Sequence, residues 1–180
     1  MILLDTIPTL ESDRLRLRLL KLEDAPALFD YFDKEEVLQY YDLAPFQRIE
    51  EAEQLIQIWN KRTTDKQGIR WAITSKDNDL LIGTIGFHNL SIENNRAEIG
   101  YDLHPNYWNK GYITEVISTI LAFGFNTLKL HRIEAFIDPA HHASRKVLHK
   151  NGMQTEGVLR DYFFEKGRFV DAEMLSIINR

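Results

Sequence analysis

The stretch that most constrains this chain is residues 97–126, AEIGYDLHPNYWNKGYITEVISTILAFGFN. Ala97 to Leu103 reads as a strand, and His104-Pro105 stops it. Asn106 to Gly111 is a short polar and aromatic loop. From Tyr112 a helix is predicted, with Ile113, Val116, Ile117, Ile120, Leu121 and Phe123 at helical spacing. Strand, loop and helix in that order leave several backbone N–H groups free at the helix start. Together with the positive end of the helix dipole they suit an anion such as a phosphate. Gly111, lacking a Cβ, lets a ligand approach the backbone closely. The same pattern also describes an ordinary β–α connection, so both readings stand at this point. The order Lys110-Gly111 excludes a P-loop, and no G-x-G-x-x-G occurs.

The rest of the chain surrounds this unit with alternating elements. Residues 14–20, RLRLRLL, alternate strictly, with Leu15, Leu17 and Leu19 on one side and Arg14, Arg16 and Arg18 on the other. Glu23 to Asp33 reads as a helix with Asp24 as N-cap, and Arg48 to Lys61 as a second amphipathic helix. Residues 34–47 are read as irregular. Strands are predicted over Ile69–Ser75 and Leu80–Asn89, joined by the turn KDND. After the central helix come a strand over His131–Ile137 and a helix over Ala140–Lys150 with Asp138 as N-cap. Two long strands, Met153–Phe164 and Arg168–Asn179, close the chain. No repeat or linker divides its 180 residues, so a single mixed α/β domain over 1–180 is expected.

Composition narrows the function. The net charge of −5 disfavours non-specific nucleic-acid binding and mildly favours a cationic substrate. Without cysteine there is no disulfide, thiolate metal site or cysteine nucleophile. The six histidines lack metal-binding spacing: H-E-x-x-H is absent, and adjacent His141 and His142 diverge on a helix. No metal is therefore expected. No apolar run approaches a membrane span, and MILLDTIPTLESD lacks a basic start and a cleavage site, which makes the cytoplasm the default expectation.

EIGYDLHPNYWNKGYITE resembles the acetyl-CoA-binding segment of the GNAT N-acetyltransferase superfamily, and within it the branch of ribosomal-protein N-terminal acetyltransferases. The superfamily loop reads Gln/Arg-x-x-Gly-x-Gly/Ala. Trp108, Asn109, Lys110, Gly111, Tyr112 and Ile113 occupy it here, with Trp108 in the first place and the bulkier Ile113 in the last. LESDRLRLRLLKLEDAPALFDYF and GVLRDYFFEKGRFVDAEM resemble the opening and the closing hairpin of the same branch. DPAHHASRKVLHKNGM resembles its second signature: Ser144, Lys150, Gly152 and Met153 match, and His141 replaces the asparagine that bonds pantetheine.

The resemblance implies an α/β (α+β) fold: a mixed, mostly antiparallel sheet of six to seven strands, splayed at its centre, with about four helices. Acetyl-CoA is the implied co-substrate, its pyrophosphate on Trp108 to Thr114 and its pantetheine along Tyr101, Asp102 and Leu103 and near His141. The implied reaction is direct acetyl transfer to a primary amine, either a protein N-terminus or a small molecule. Such transfer needs a base for the amine and a donor for the departing thiolate. Glu98 is the candidate base; a surface carboxylate is the plain alternative. The tyrosine many members use as general acid falls at Leu148, which leaves Ser144 as candidate donor. A helical serine also commonly bonds back to its own helix. Asp161, Glu165 and Asp171 are placed to attract a cationic acceptor, and a homodimer is a possible assembly. The rival reading is a non-catalytic acyl-CoA-binding or sensing module.

Overall fold

The computed structural model describes residues 1–180. In chain order the elements are β1 (Leu10–Glu11), β2 (Leu15–Leu19), α1 (Ala25–Phe32), α2 (Glu35–Leu38), α3 (Ile49–Thr64), β3 (Ile69–Ser75), β4 (Leu81–Ser91), β5 (Arg96–Leu103), α4 (Tyr112–Asn126), β6 (Arg132–Ile137), α5 (His142–Lys150), β7 (Gln154–Glu165) and β8 (Arg168–Ile178). The strands form one sheet in the order β1-β2-β3-β4-β5-β6-β8-β7. All pairings are antiparallel except β5 with β6. The sheet thus has eight strands rather than six to seven, and the helices number five rather than four. The additions are the two-residue β1 and the four-residue α2, both too short to show a period. No helix is long and apolar enough to cross a membrane.

Period-two alternation separates the two faces of the sheet. Leu15, Leu17, Trp71, Ile73, Phe87, Ala97 and Ile99 pack with Val116, Ile117 and Ile120 of α4 and Leu148 of α5. On the opposite face Ala72 and Leu81 pack with Leu28, Tyr31 and Phe32 of α1 and Ala52 and Ile56 of α3. The arginine side of β2 is less exposed than a solvated face. Arg18 is buried and donates to both oxygens of Asp24, at 2.8 Å each, and to Asp79.

Of the two predicted caps, Asp24 is the N-cap residue of α1 by position only, and Asp138 is not a cap. Asp24 makes no side-chain cap to α1; its carboxylate accepts from Lys21 N, closing the 3-10 turn before that helix, and from Arg18. Asp138 does not cap α5, whose N-cap is His141. Instead the Asp138 carboxylate accepts from Ala140 N at 2.7 Å, holding a turn that delays the helix to His142.

The feature that positions the site is where β5 and β6 part. They pair only at Arg96↔Arg132, Ala97↔Ile133 and Glu98↔Glu134. Beyond that β5 runs on to Leu103 and β6 to Ile137 without pairing, so the sheet opens into a V with Glu98 and Glu134 at its apex.

Candidate active site

The open edge of β5 can be read from its hydrogen bonds. His104 N donates to Ile82 O, which continues the β4–β5 ladder and sets its phase. Gly100 and Asp102 therefore direct their backbone groups toward β4, while Ile99, Tyr101 and Leu103 direct theirs into the V. The Tyr101 carbonyl there accepts from Tyr41 Oη at 3.1 Å, and the Leu103 carbonyl from Trp108 Nε1 at 2.7 Å. An extended ligand entering the V meets a strand edge able to bond it as another strand would.

At the wide end of the V lies the loop before α4. Asn109 and Gly111 adopt positive φ, +60° and +79°. No backbone N–H from Asn109 to Thr114 has a partner within the chain, and Gly111 supplies no side-chain cap. A run of donors at a helix N-terminus, two of its residues left-handed, is an anion cradle. Arg14 fixes the loop from outside: it donates to Lys110 O at 3.1 Å, pairs with Glu115 at 2.7 Å and lies over the Tyr112 ring at 4.2 Å. Ile113 turns its side chain into the main core, away from the cradle.

The side chains of the V divide between the two faces. Tyr101 shares the face of α4 and α5, and its Oη lies 2.6 Å from Ser144 Oγ. The back-bonding reading of Ser144 does not hold. Thr63, Thr64 and Thr119 each donate to the carbonyl four residues back, whereas Ser144 bonds only to Tyr101. Burial pushes the Tyr101 phenol up to about 12, with the Ser144 hydrogen bond acting the other way. Glu98 lies on the other face, by the alternation of β5, and is held by Asn89 Nδ2 at 2.9 Å and His88 Nε2 at 3.3 Å. The structure thus brings Tyr101 and Ser144 together and sets Glu98 apart, at the apex. His141 stacks on Tyr40 with centroids 4.2 Å apart, and burial lowers its pKa, so its imidazole is neutral near neutral pH.

The Asp102 side chain is occupied elsewhere. It accepts from Tyr31 Oη (2.7 Å), Thr84 N (2.9 Å), Thr84 Oγ1 (2.5 Å), Arg70 Nη2 (2.5 Å) and Tyr41 Oη (3.3 Å). This buried hub ties α1, the loop after α2, and β3, β4 and β5 together beneath the V. Of the partners around the site, Tyr31, Arg70 and Thr84 carry no sequence signal, and Arg14 reads only as part of a polar strand face.

Across the mouth, Lys166 N donates to Asp42 and Lys166 Nζ to Leu38 O, fastening the β7–β8 turn to the loop after α2. Burial, then the nearby Asp42, raises the pKa of Glu165, with Asp138 adding to it. Phe136 of β6 stacks on Tyr162 of β7, centroids 5.3 Å apart. Asp171 spends its carboxylate on the backbone N–H of Asp161.

A splayed mixed sheet with an anion cradle at the wide end and a hydroxyl pair inside is an N-acetyltransferase scaffold. The profile of the acetyltransferase (GNAT) domain matches residues 14–154, and the chain belongs to that family. An uncharacterised N-acetyltransferase of Bacillus subtilis, YoaA, is 44% identical over 95% of this chain and 97% of its own. Mycobacterium smegmatis RimJ, solved with a CoA disulfide, shares the fold with TM-score 0.87 at 21% identity, over 95% of this chain and 87% of that one. Vibrio cholerae spermidine N-acetyltransferase, solved with CoA and spermine, does so with TM-score 0.78 at 23% identity, over 92% and 95%. The family assignment makes the protein an acetyltransferase enzyme.

Proposed function

We propose that the protein moves an acetyl group from acetyl-CoA directly to a primary amine. The observation that carries this reading is the run of unpartnered N–H groups from Asn109 to Thr114, opening onto the unpaired edge of β5. The two fit the two ends of one ligand: a pyrophosphate on the cradle and an amide-bearing arm along Tyr101 and Leu103. Solved relatives of the same fold hold CoA. Asp102, with its carboxylate spent on the hub and its backbone groups turned toward β4, offers no hydrogen bond to this path.

Acetyl-CoA supplies the activated thioester; the chain supplies the rest. Backbone N–H groups of the β5 edge stabilise the carbonyl oxygen as charge develops on it. Ser144 donates to the departing sulfur from the α5 side. Glu98 takes the amine proton, directly or through a water, from the other face, with His88 and Asn89 holding its carboxylate in place. The acceptor enters on that face, where Asp42, Asp138 and Glu165 gather negative charge and Phe136 and Tyr162 offer ring faces. Acids beside aromatic rings suit a cationic amine. A protein N-terminus and a polyamine both satisfy that chemistry, and one of the two solved structures is named for the polyamine spermidine.

Calorimetric titration with acetyl-CoA, CoA and ATP tests the site. Wild type binds both CoA species in preference to ATP. Gly111→Pro loses that binding, because proline cannot adopt φ near +79°. Absence of binding to either CoA species refutes the reading. An acceptor screen by mass shift follows; Glu98→Gln lowers turnover about 100-fold or more while CoA binding stays. Binding without transfer to any amine is the outcome that favours an acyl-CoA sensor.

A further inference from the structure

The contact between Tyr101 and Ser144 does more than fill space. It joins the two jaws of the V: Tyr101 lies on β5 and Ser144 on α5, the helix that follows β6. Two hydroxyls carry two hydrogens, and a single O–O contact uses one of them. Whichever group donates, one O–H is left without an acceptor in the chain; when Tyr101 donates, it is that of Ser144, which is only 6% exposed. Leaving a buried donor unmet is costly, so the pair is built to donate to something that arrives. Leu148, where the superfamily tyrosine falls, lies one turn beyond Ser144 with its side chain in the core, and offers no hydroxyl. A phenol reaches the same neighbourhood from the strand instead.

We propose that Tyr101 is a positioning residue for acetyl transfer: its phenol donates to Ser144 Oγ and so aims the Ser144 O–H at the sulfur of the CoA leaving group. This rests on the reading of the V as the acetyl-CoA site. Burial keeps the phenol protonated across the physiological range, so the donor is always present. The absence of a back-bond from Ser144 to its own helix leaves the hydroxyl free to take that direction.

The test needs no acceptor. Free CoA is bound to the full-length protein, and its thiolate fraction is read by ultraviolet difference absorbance at one fixed alkaline pH. Wild type is compared with Tyr101→Phe, Ser144→Ala and the double variant. The expected result is a thiolate fraction about tenfold lower in each single variant, the worth of one hydrogen bond to a charged group. The double variant matches Ser144→Ala, since Tyr101 acts only through Ser144. CoA affinity changes by no more than about threefold, because the cradle and the β5 edge remain. An unchanged thiolate fraction in Tyr101→Phe overturns the inference while leaving the binding site intact. A further fall in the double variant also overturns it, because Tyr101 would then act independently. Failure of wild type to bind CoA overturns the site and the inference together.

Discussion

Replacing Asp102 by asparagine tests whether the hub beneath the V holds the enzyme together. Both charges are withdrawn from water: the Asp102 side chain is 1% exposed and that of Arg70 is 12% exposed. Every polar partner of the carboxylate is a donor. An asparagine keeps the shape but turns one acceptor into a donor facing donors, and leaves Arg70 without its counter-charge. Removing one partner of a buried pair costs about 3–5 kcal/mol. For a chain of this length that is a fall in Tm of about 6–20 °C, at about 2–4 °C per kcal/mol. Urea unfolding followed by circular dichroism measures it directly. Adding Arg70→Met to Asp102→Asn recovers part of the loss, because no unpaired charge then remains buried. A loss below about 1 kcal/mol for Asp102→Asn, or strict additivity in the double variant, would refute the account of the hub as a coupled network.

Three further substitutions follow from local geometry. A Cβ at Gly86 would overlap the Ile69 carbonyl oxygen in the β3–β4 ladder, where backbone cannot yield. One at Gly124 meets only the side-chain ends of Ile133, Phe87 and Leu130. Gly86→Ala is therefore expected to be insoluble or grossly destabilised, and Gly124→Ala to change urea stability far less, because yielding side-chain contacts are offset by about 1 kcal/mol of helix propensity. Hydrogen bonds from Arg132, then Ser176, hold the Glu156 carboxyl down at about 2, against an ordinary value of 4.5. A depressed carboxylate contributes its stability fully above the ordinary value and loses it as pH falls toward 2. Between pH 5 and pH 3 wild type should lose more urea stability than Glu156→Gln, with the difference shrinking in high salt because the side chain is 40% exposed.

The sequence was most legible where local periodicity and turn chemistry decide structure. Ile69–Ser75 was placed to the residue, and the β5–loop–α4 unit within one residue. Caps were harder. Asp24 and Asp138 have the right residue type, yet each was drawn to a neighbouring turn. The backbone of the candidate site was legible: Gly111 and the residues around it form the loop before α4 that the sequence predicts. Its side-chain partners were hidden because they meet across the fold. Tyr31 and Asp102 are 71 residues apart and Tyr101 and Ser144 are 43 apart, and no local pattern encodes such a meeting. Arg14 looked like one more residue on a polar strand face. Only the path of the loop shows that it anchors Lys110 and Glu115.

The outward edge of β5 and the cradle from Asn109 to Thr114 bear on how the enzyme ends its cycle. On the proposed reading both would grip parts of the co-substrate that chemistry leaves untouched, and would hold spent CoA as firmly as the loaded form. Binding of that kind raises occupancy without lowering the chemical barrier, and it must be undone every round. Dissociation of CoA is then the natural brake on steady-state rate, and the free CoA pool competes with acetyl-CoA for the same groups. Where the two pools saturate the site, it would be the ratio of acetylated to free CoA that sets the rate.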